Sequence, residues 1–117
     1  HVVTENQRVL EAVAAMRAGD AGTLGALISA SHASLRDDYE VSCKEVDALV
    51  AISDRCAGVL GSRQVGGGFG GCVLVLVDTG KVAEAAEQIA AEYTRYAGAR
   101  TWMHIVTATD PAKEIDP

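Results

Sequence analysis

The chain has 117 residues, which is enough for one hydrophobic core and too few for two. Its formal net charge of −6 would repel a phosphate backbone, so we do not expect it to bind nucleic acid. Hydrophobic residues make up 49% of the chain and aromatic residues only 4%, and because no apolar run reaches membrane-spanning length we predict a soluble, cytoplasmic domain without a membrane partner.

Two helices are predicted in the first part of the chain. Apolar residues recur at helical spacing up to a stop at Gly19, with Thr4 and Gln7 placed as a capping box. Asp20 is predicted to cap the second helix. The predicted buried stripe of that helix comprises Leu24, Leu27, Ile28, Ser31 and Leu35. We expect the two helices to form an antiparallel pair.

A third helix has the clearest predicted start. Ser42 is placed as its cap, and Glu45 follows three residues later, as in a capping box. Its apolar face is predicted to run through Cys56 to Leu60, with glycines weakening the last turns.

The second half of the chain alternates strands with one helix. Short strand candidates are residues 63–65 and the unbroken aliphatic run 72–77, which we expect to be covered on both faces. A fourth helix is predicted from Thr79 to a stop at Gly98, and a last strand over residues 102–107. The order of elements predicts one α+β domain over residues 1–117, with helices packed on a small, mostly antiparallel sheet.

A glycine-rich run separates the two strand candidates: Gly66, Gly67, Gly68, Phe69, Gly70 and Gly71. Glycine backbone can approach a ligand closely, and successive N–H groups in such a turn can form a concave anion site. The alternative is that the run is only a tight connection between two strands.

Three other nucleotide-binding patterns fail for this run on their context. The spacing GxGxxG is present, yet a strand follows where a dinucleotide-binding fold requires a helix. Adding Val73 completes the glycine-loop pattern of a protein kinase, but the other kinase motifs are missing. No Gly-Lys-Ser/Thr ends the run, so it is not a P-loop.

Two segments carry a resemblance to a known family. Residues 31–43, with the sequence SHASLRDDYEVSC and followed by Glu45 and Asp47, closely resemble the galactokinase signature around SHxSLRDDYEVSCPELD. Residues 66–72, GGGFGGC, resemble the third motif of the same enzymes, which are GHMP small-molecule kinases. Residues 1–5 and 108–113 are also similar to galactokinase sequence, so the resemblance covers almost the whole chain.

The resemblance implies a ferredoxin-like C-terminal domain of an enzyme that moves the γ-phosphoryl group of ATP, with Mg²⁺, to the anomeric hydroxyl of galactose. In that family an N-terminal domain supplies the phosphate loop, the metal ligands and the acid and base groups. None of those motifs occurs here, so we expect no catalytic residue and no metal ligand in this chain. The implied role of Gly66 to Gly71 is to form one wall of the ATP-phosphate site against the N-terminal domain.

Three interpretations of the parent protein follow from the resemblance. The first is a galactokinase of which this chain is a part, inactive when isolated because it holds half a cleft. The second is a galactokinase-like regulator that binds ATP and galactose without catalysis, and the third is a remnant with a packing or assembly role. An exposed domain interface would also allow the isolated chain to dimerise.

Individual polar residues have structural explanations as well as functional ones. We predict that His32 lies at the surface or between helices, and that His104 is likewise not catalytic. The cluster of Arg36, Asp37, Asp38 and Glu40 could bind a metal, but we favour an ion-paired corner between two helices.

The residues around the glycine run raise further expectations. Phe69 is predicted to anchor the run in a domain interface. Gln64 and Val65 stand where galactokinases usually read Met-Thr, so a direct ligand role at Val65 is disfavoured. The three cysteines, Cys43, Cys56 and Cys72, are odd in number and widely spaced, which indicates reduced thiols, with Cys72 in the core.

Overall fold

The computed structural model describes residues 1–108 as helices packed against an antiparallel pair of strands. The elements are α1 (Val2–Ala18), α2 (Ala21–Asp37), α3 (Lys44–Ser53), β1 (Val59–Val65), β2 (Cys72–Val77), a 3₁₀ turn (Thr79–Lys81) and α4 (Val82–Ala97). The predicted α+β class is confirmed. None of the helices in this described part is long and apolar enough to cross a membrane.

The corner between α1 and α2 forms as its sequence predicts. Gly19 takes a left-handed conformation with φ 68°, and its N–H donates to the last turn of α1. The Asp20 carboxylate then accepts a hydrogen bond from the Thr23 N–H at 2.9 Å, which caps α2. Gly98 ends α4 in the same left-handed way, with φ 67°.

The capping box predicted at the start of α1 is wrong. The helix begins at Val2, so Thr4 already lies inside its first turn. The Thr4 hydroxyl donates to the His1 carbonyl at 3.0 Å, and the Gln7 amide donates to Glu11. Neither side chain is therefore placed to satisfy a free N–H group at the helix start.

The predicted bounds of α3 and β1 also need correction. Cys43 rather than Ser42 is the N-cap, because the Ser42 hydroxyl donates to the Asp47 carboxylate at 2.5 Å instead of accepting a backbone N–H. The helix ends at Ser53, well before Leu60. Gly58, with φ 85°, turns the chain, and Leu60 belongs to β1, which starts four residues before the predicted strand.

The sheet is covered on one face, which contradicts the prediction for β2. Exposed and partly buried residues alternate at its start, and Cys72 and Leu74 are exposed. The apolar core lies on the other face, where Ile52, Cys56, Ala85 and Ile89 are buried against Val75 and Val77. The predicted core position of Cys72 is therefore wrong, because the first residue of β2 points away from α3 and α4.

The last predicted strand, residues 102–107, is not a strand in this structure. Its side chains are exposed, with Trp102 at 89%. A strand needs a partner for its backbone groups. One edge of β1 is unavailable, since α2 side chains contact it: Ser29 accepts from the Ser62 N–H at 3.4 Å, and His32 from the Gln64 N–H at 3.5 Å.

This contact between α2 and β1 brings backbone against backbone. A Cβ atom at Gly25 would overlap the Leu60 carbonyl, and one at Gly61 would overlap the Gly25 carbonyl. Only glycine leaves room for such an approach. A second link comes from α1, because the Glu5 carboxylate accepts hydrogen bonds from Ser31 of α2 and Arg63 of β1.

We predict that Gly25→Ala destabilises the chain while Gly22→Ala, on the same helix, does not. The added methyl group at Gly25 must push α2 off β1, at a cost of about 2 kcal/mol. At Gly22 the new Cβ meets only Asp20 at an ordinary 3.6 Å, and replacing a helical glycine gains up to ~0.5 kcal/mol. Urea unfolding of both variants measures the difference, and equal stabilities would contradict the close approach.

Candidate functional site

The glycine loop, defined as Gly66, Gly67, Gly68, Phe69, Gly70 and Gly71, joins β1 to β2. The two strands pair up to Val65 and Cys72, so the loop spans the end of a hairpin. The predicted tight connection between two strands is therefore present. A connection of this kind can also bind a ligand, because one side of the loop is open and the other is anchored on Val41.

The outer side of the glycine loop is open. A Cβ atom at Gly66, Gly67 or Gly70 would meet nothing within 4 Å among the described residues. The ring of Phe69 is 75% exposed. The backbone of the loop is therefore accessible from this side.

The inner side of the loop is anchored on Val41. The Phe69 N–H donates to the Val41 carbonyl at 2.7 Å, and a Cβ atom at Gly68 would overlap that same carbonyl oxygen. Two non-glycine residues next to this contact take left-handed backbone conformations, Glu40 with φ 56° and Phe69 with φ 57°. Such conformations cost about 1 kcal/mol or more each and persist only where neighbouring contacts hold them.

Val41 is itself tied to the end of α2. Its N–H donates to the Leu35 carbonyl at 3.1 Å, and the N–H groups of Asp38 and Tyr39 both donate to the Ser34 carbonyl at 3.0 Å. These bonds satisfy carbonyl groups that would otherwise be free at a helix end. The segment 31–43 therefore folds into a compact support beneath the glycine loop.

His32 is buried beside this support. Of the two predicted positions, the surface is wrong, while a position between helices agrees with the contact of His32 on α2 with Asp47 on α3. Its side chain is only 3% exposed, Nδ1 accepts from the Gln64 N–H, and Nε2 lies 3.4 Å from Oδ1 of Asp47. Burial lowers the pKa of His32, and the nearby Asp47 carboxylate opposes this only in part. His32 is therefore neutral at pH 7, with its proton on Nε2 because Nδ1 acts as an acceptor.

Gln64 is the second buried polar residue of this region. It is 1% exposed, and its Nε2 donates to the Val41 carbonyl at 3.5 Å. Gln64 Oε1 and His32 Nε2 make no aligned hydrogen bond to other described residues, so the contact between His32 and Asp47 is electrostatic in character. Val41 thus receives two donors, one from the glycine loop and one from β1.

The acidic cluster at the end of α2 forms the expected ion pair. The Arg36 guanidinium donates from Nε to Oδ1 of Asp37 at 2.7 Å and from a terminal nitrogen to Oδ2 at 2.8 Å. These hydrogen bonds hold the pKa of Asp37 below its usual value. Asp38 accepts from the Ser34 hydroxyl at 2.6 Å, while Glu40 is exposed. Within residues 1–108 no group of three or more His, Cys, Asp or Glu side chains is placed to hold a metal ion.

The remaining candidates lie apart from the glycine loop anchor. His104 is exposed and outside any strand, and Cys72 borders the loop as an exposed thiol. Sequence reasoning missed the joint position of His32, Asp47 and Gln64. One signal was available: Gly25, Ser29 and His32 follow each other at helical spacing, which marks a small, polar face on α2.

Comparison with known proteins identifies relatives of this chain. The family model described as "GHMP kinases C terminal" matches residues 12–95. Proteins named galactokinase from Clostridium acetobutylicum and Actinobacillus pleuropneumoniae serotype 5b are 46% and 45% identical over 99% and 94% of this chain. The chain spans only 30% and 29% of the length of these two relatives.

A solved structure shows the same fold. The chain is similar to Lactococcus lactis galactokinase, which was crystallised as a complex with galactose, with a TM-score of 0.76 and 41% identity. The match covers 81% of this chain and 24% of that protein.

We predict that Gly68→Ala disrupts the loop anchor and that Gly66→Ala is the milder change. Both glycines have nearly equal positive φ values, 93° and 97°, so an alanine is strained at either position. Only at Gly68 does the new Cβ also overlap Val41, which we expect to cost about 1–2 kcal/mol more. Urea unfolding of the two variants measures this difference, and equal losses of stability would show that the Val41 anchor contributes nothing.

Proposed function

The chain belongs to the GHMP kinases through the C-terminal domain of that family, and from this we propose that it is the C-terminal part of a galactokinase. The observation that carries the proposal is the 44–46% identity to proteins named galactokinase along nearly the whole chain. The relative from Lactococcus lactis was crystallised with galactose, which supports galactose as the substrate of the complete enzyme. In that enzyme the γ-phosphoryl group of ATP passes, with Mg²⁺, to the anomeric hydroxyl of the sugar.

The proposed domain organisation assigns residues 1–117 to a single C-terminal domain. Residues 109–117, including most of the galactokinase-like segment 108–113, lie outside the residues that the structure describes. An N-terminal domain carrying the phosphate loop, the Mg²⁺ ligands and most sugar contacts would be the main partner of this chain. The small share of each relative that the chain spans supports such a partner.

The glycine loop is the part of this chain that we propose to border the ATP phosphates. Its open outer side allows backbone N–H groups to come close to an anion, and its inner side is anchored on Val41. Phosphoryl transfer depends mostly on positioning and on charge stabilisation. A loop without side chains that is held from below can supply one wall of such a site, while the reacting groups come from the other domain.

Several large apolar side chains are available for contact with that domain. Those exposed by half or more include Val2, Val3, Val9, Leu10, Met16, Phe69, Trp102, Ile105 and Val106. Exposed apolar surface of this extent is typical of protein that normally meets a partner. The free thiols of Cys43, Cys56 and Cys72 suit a reducing compartment, and we propose that the complete enzyme is cytoplasmic.

We predict that the isolated chain has no galactose-dependent ATP turnover, whereas a chimera with an N-terminal domain has it. The chimera joins this chain to the N-terminal part of the Clostridium acetobutylicum relative, whose C-terminal part is 46% identical to it. A coupled assay for ADP release, with and without galactose, measures both proteins. The chimera bearing Gly68→Ala should have a higher KM for ATP than the chimera bearing Gly66→Ala, because only the former displaces the loop from Val41.

Two results would contradict this proposal. Turnover by the isolated chain would show that its own residues complete the site. A folded chimera that binds ATP and galactose without turnover would show that this chain does not complete the site of a galactokinase N-terminal domain.

We also predict that the isolated chain dimerises through its exposed apolar surface at high concentration. Sedimentation velocity at chain concentrations from about 10 to about 500 µM, which bracket the dissociation constants of weak interfaces, measures the monomer–dimer equilibrium. Replacing Val9 and Leu10 on α1 by Glu should shift the chain towards monomer, while the same replacement at the exposed polar residues Gln7 and Arg17 should not. A strictly monomeric species throughout would contradict the prediction.

A further inference from the structure

Three polar side chains from three different elements meet beneath the glycine loop. His32 lies on α2, Asp47 on α3 and Gln64 on β1. His32 and Gln64 are 2% and 1% exposed. Burying such groups is unfavourable unless their contacts compensate for the lost water. Both His32 and Asp47 lie in or directly after the segment 31–43 that resembles the galactokinase signature.

We propose that His32 and Asp47 are positioning residues for the glycine loop. They act on the two segments that the loop contacts: His32 on the end of β1, and Asp47 on the segment that carries Val41. The importance of this positioning for phosphoryl transfer rests on the proposed function, whereas the effect on the loop itself is a property of this chain alone.

One contact links His32 to the backbone of β1. Its Nδ1 accepts from the backbone N–H of Gln64, which is two residues before the glycine loop begins at Gly66. That N–H points away from β2 and has no strand to bond with on that side in the described structure. An acceptor at the position of Nδ1 therefore fixes the end of the strand from which the loop departs.

A second contact links Asp47 to Ser42, the residue that follows Val41. The Ser42 hydroxyl donates to Oδ1 of Asp47 at 2.5 Å, and the same oxygen faces Nε2 of His32 at 3.4 Å. Ser42 directly follows Val41, whose carbonyl accepts from both the Phe69 N–H and the Gln64 side chain. Asp47 thus accepts a hydrogen bond from Ser42, the residue next to Val41. His32 lies between Asp47 and Gln64 and contacts both.

The strained backbone on both sides of the anchor explains why such support is needed. Glu40 and Phe69 are in left-handed conformations that relax when the surrounding contacts are lost. The Phe69 N–H to Val41 hydrogen bond would then open more often. Loss of the buried cluster should therefore be visible at the Phe69 amide before it is visible in the core.

The test is amide hydrogen exchange by NMR on the 117-residue chain, comparing His32→Leu with His32→Asn. Leucine has no acceptor, whereas the Oδ1 atom of asparagine takes nearly the same place as Nδ1 of histidine. In His32→Leu we expect the Phe69 amide to exchange about tenfold faster relative to the core amide of Ile89, the factor that corresponds to one lost hydrogen bond. In His32→Asn the ratio should return to within about twofold of the wild-type value.

Ser53→Ala is the matched control. Ser53 is as buried as His32, lies on α3 and donates only to the Leu49 carbonyl, outside the cluster. Loss of the Ser53 hydroxyl should accelerate hydrogen exchange at the Phe69 and Ile89 amides by the same factor. Asp47→Ala provides a second probe if His32→Leu does not fold, because Asp47 is only partly buried, and it should again accelerate Phe69 selectively.

Two outcomes would overturn the proposal. One is equal acceleration of Phe69 and Ile89 in both His32→Leu and Asp47→Ala, which would mean that the cluster serves only global stability. The other is that asparagine at position 32 restores no more protection than leucine. An inactive chimera would count against the galactokinase proposal, but the exchange ratios would still decide the role of His32.

Discussion

The close approach of α2 to β1 positions the side chains that surround the end of this strand. Gly25 and Gly61 allow the two backbones to touch, and this brings Ser29 and His32 against the edge of the strand. Larger residues at either glycine would hold the helix away, so neither side chain could accept a strand N–H. The same contact covers one sheet edge, which would otherwise present unpaired backbone groups.

The support beneath the glycine loop follows from that contact. Once α2 lies on β1, its last turn carries the segment 38–43 across to the loop, where the Val41 carbonyl meets the Phe69 N–H. Left-handed backbone at Glu40 and Phe69 is retained there because hydrogen bonds on both sides hold it. A loop made almost entirely of glycine would otherwise sample many conformations.

The sheet has one buried face and one open face. On one face, α3 and α4 bury Ile52, Cys56 and Ile89 against the strands. On the other face, Leu74 and the glycine loop remain open, and the exposed apolar residues 102–106 pair with neither strand. Both features leave apolar side chains of this domain exposed.

Elements with local causes could be predicted from the residue pattern. Gly19 and Gly98 end helices, Asp20 caps α2, and the glycine loop connects two strands, because each depends on the φ preference or hydrogen-bonding capacity of residues a few positions apart. The family also follows from the sequence, since the signature 31–43 and the glycine loop are long enough to be specific. Four properties of the described residues could not be predicted from the pattern: the burial of His32, its contacts with Asp47 and Gln64, the exposure of Cys72 and the lack of a strand at residues 102–107. Those properties depend on which surfaces α2, α3 and the sheet cover in space, and a residue pattern along one element carries no information about the element that packs against it.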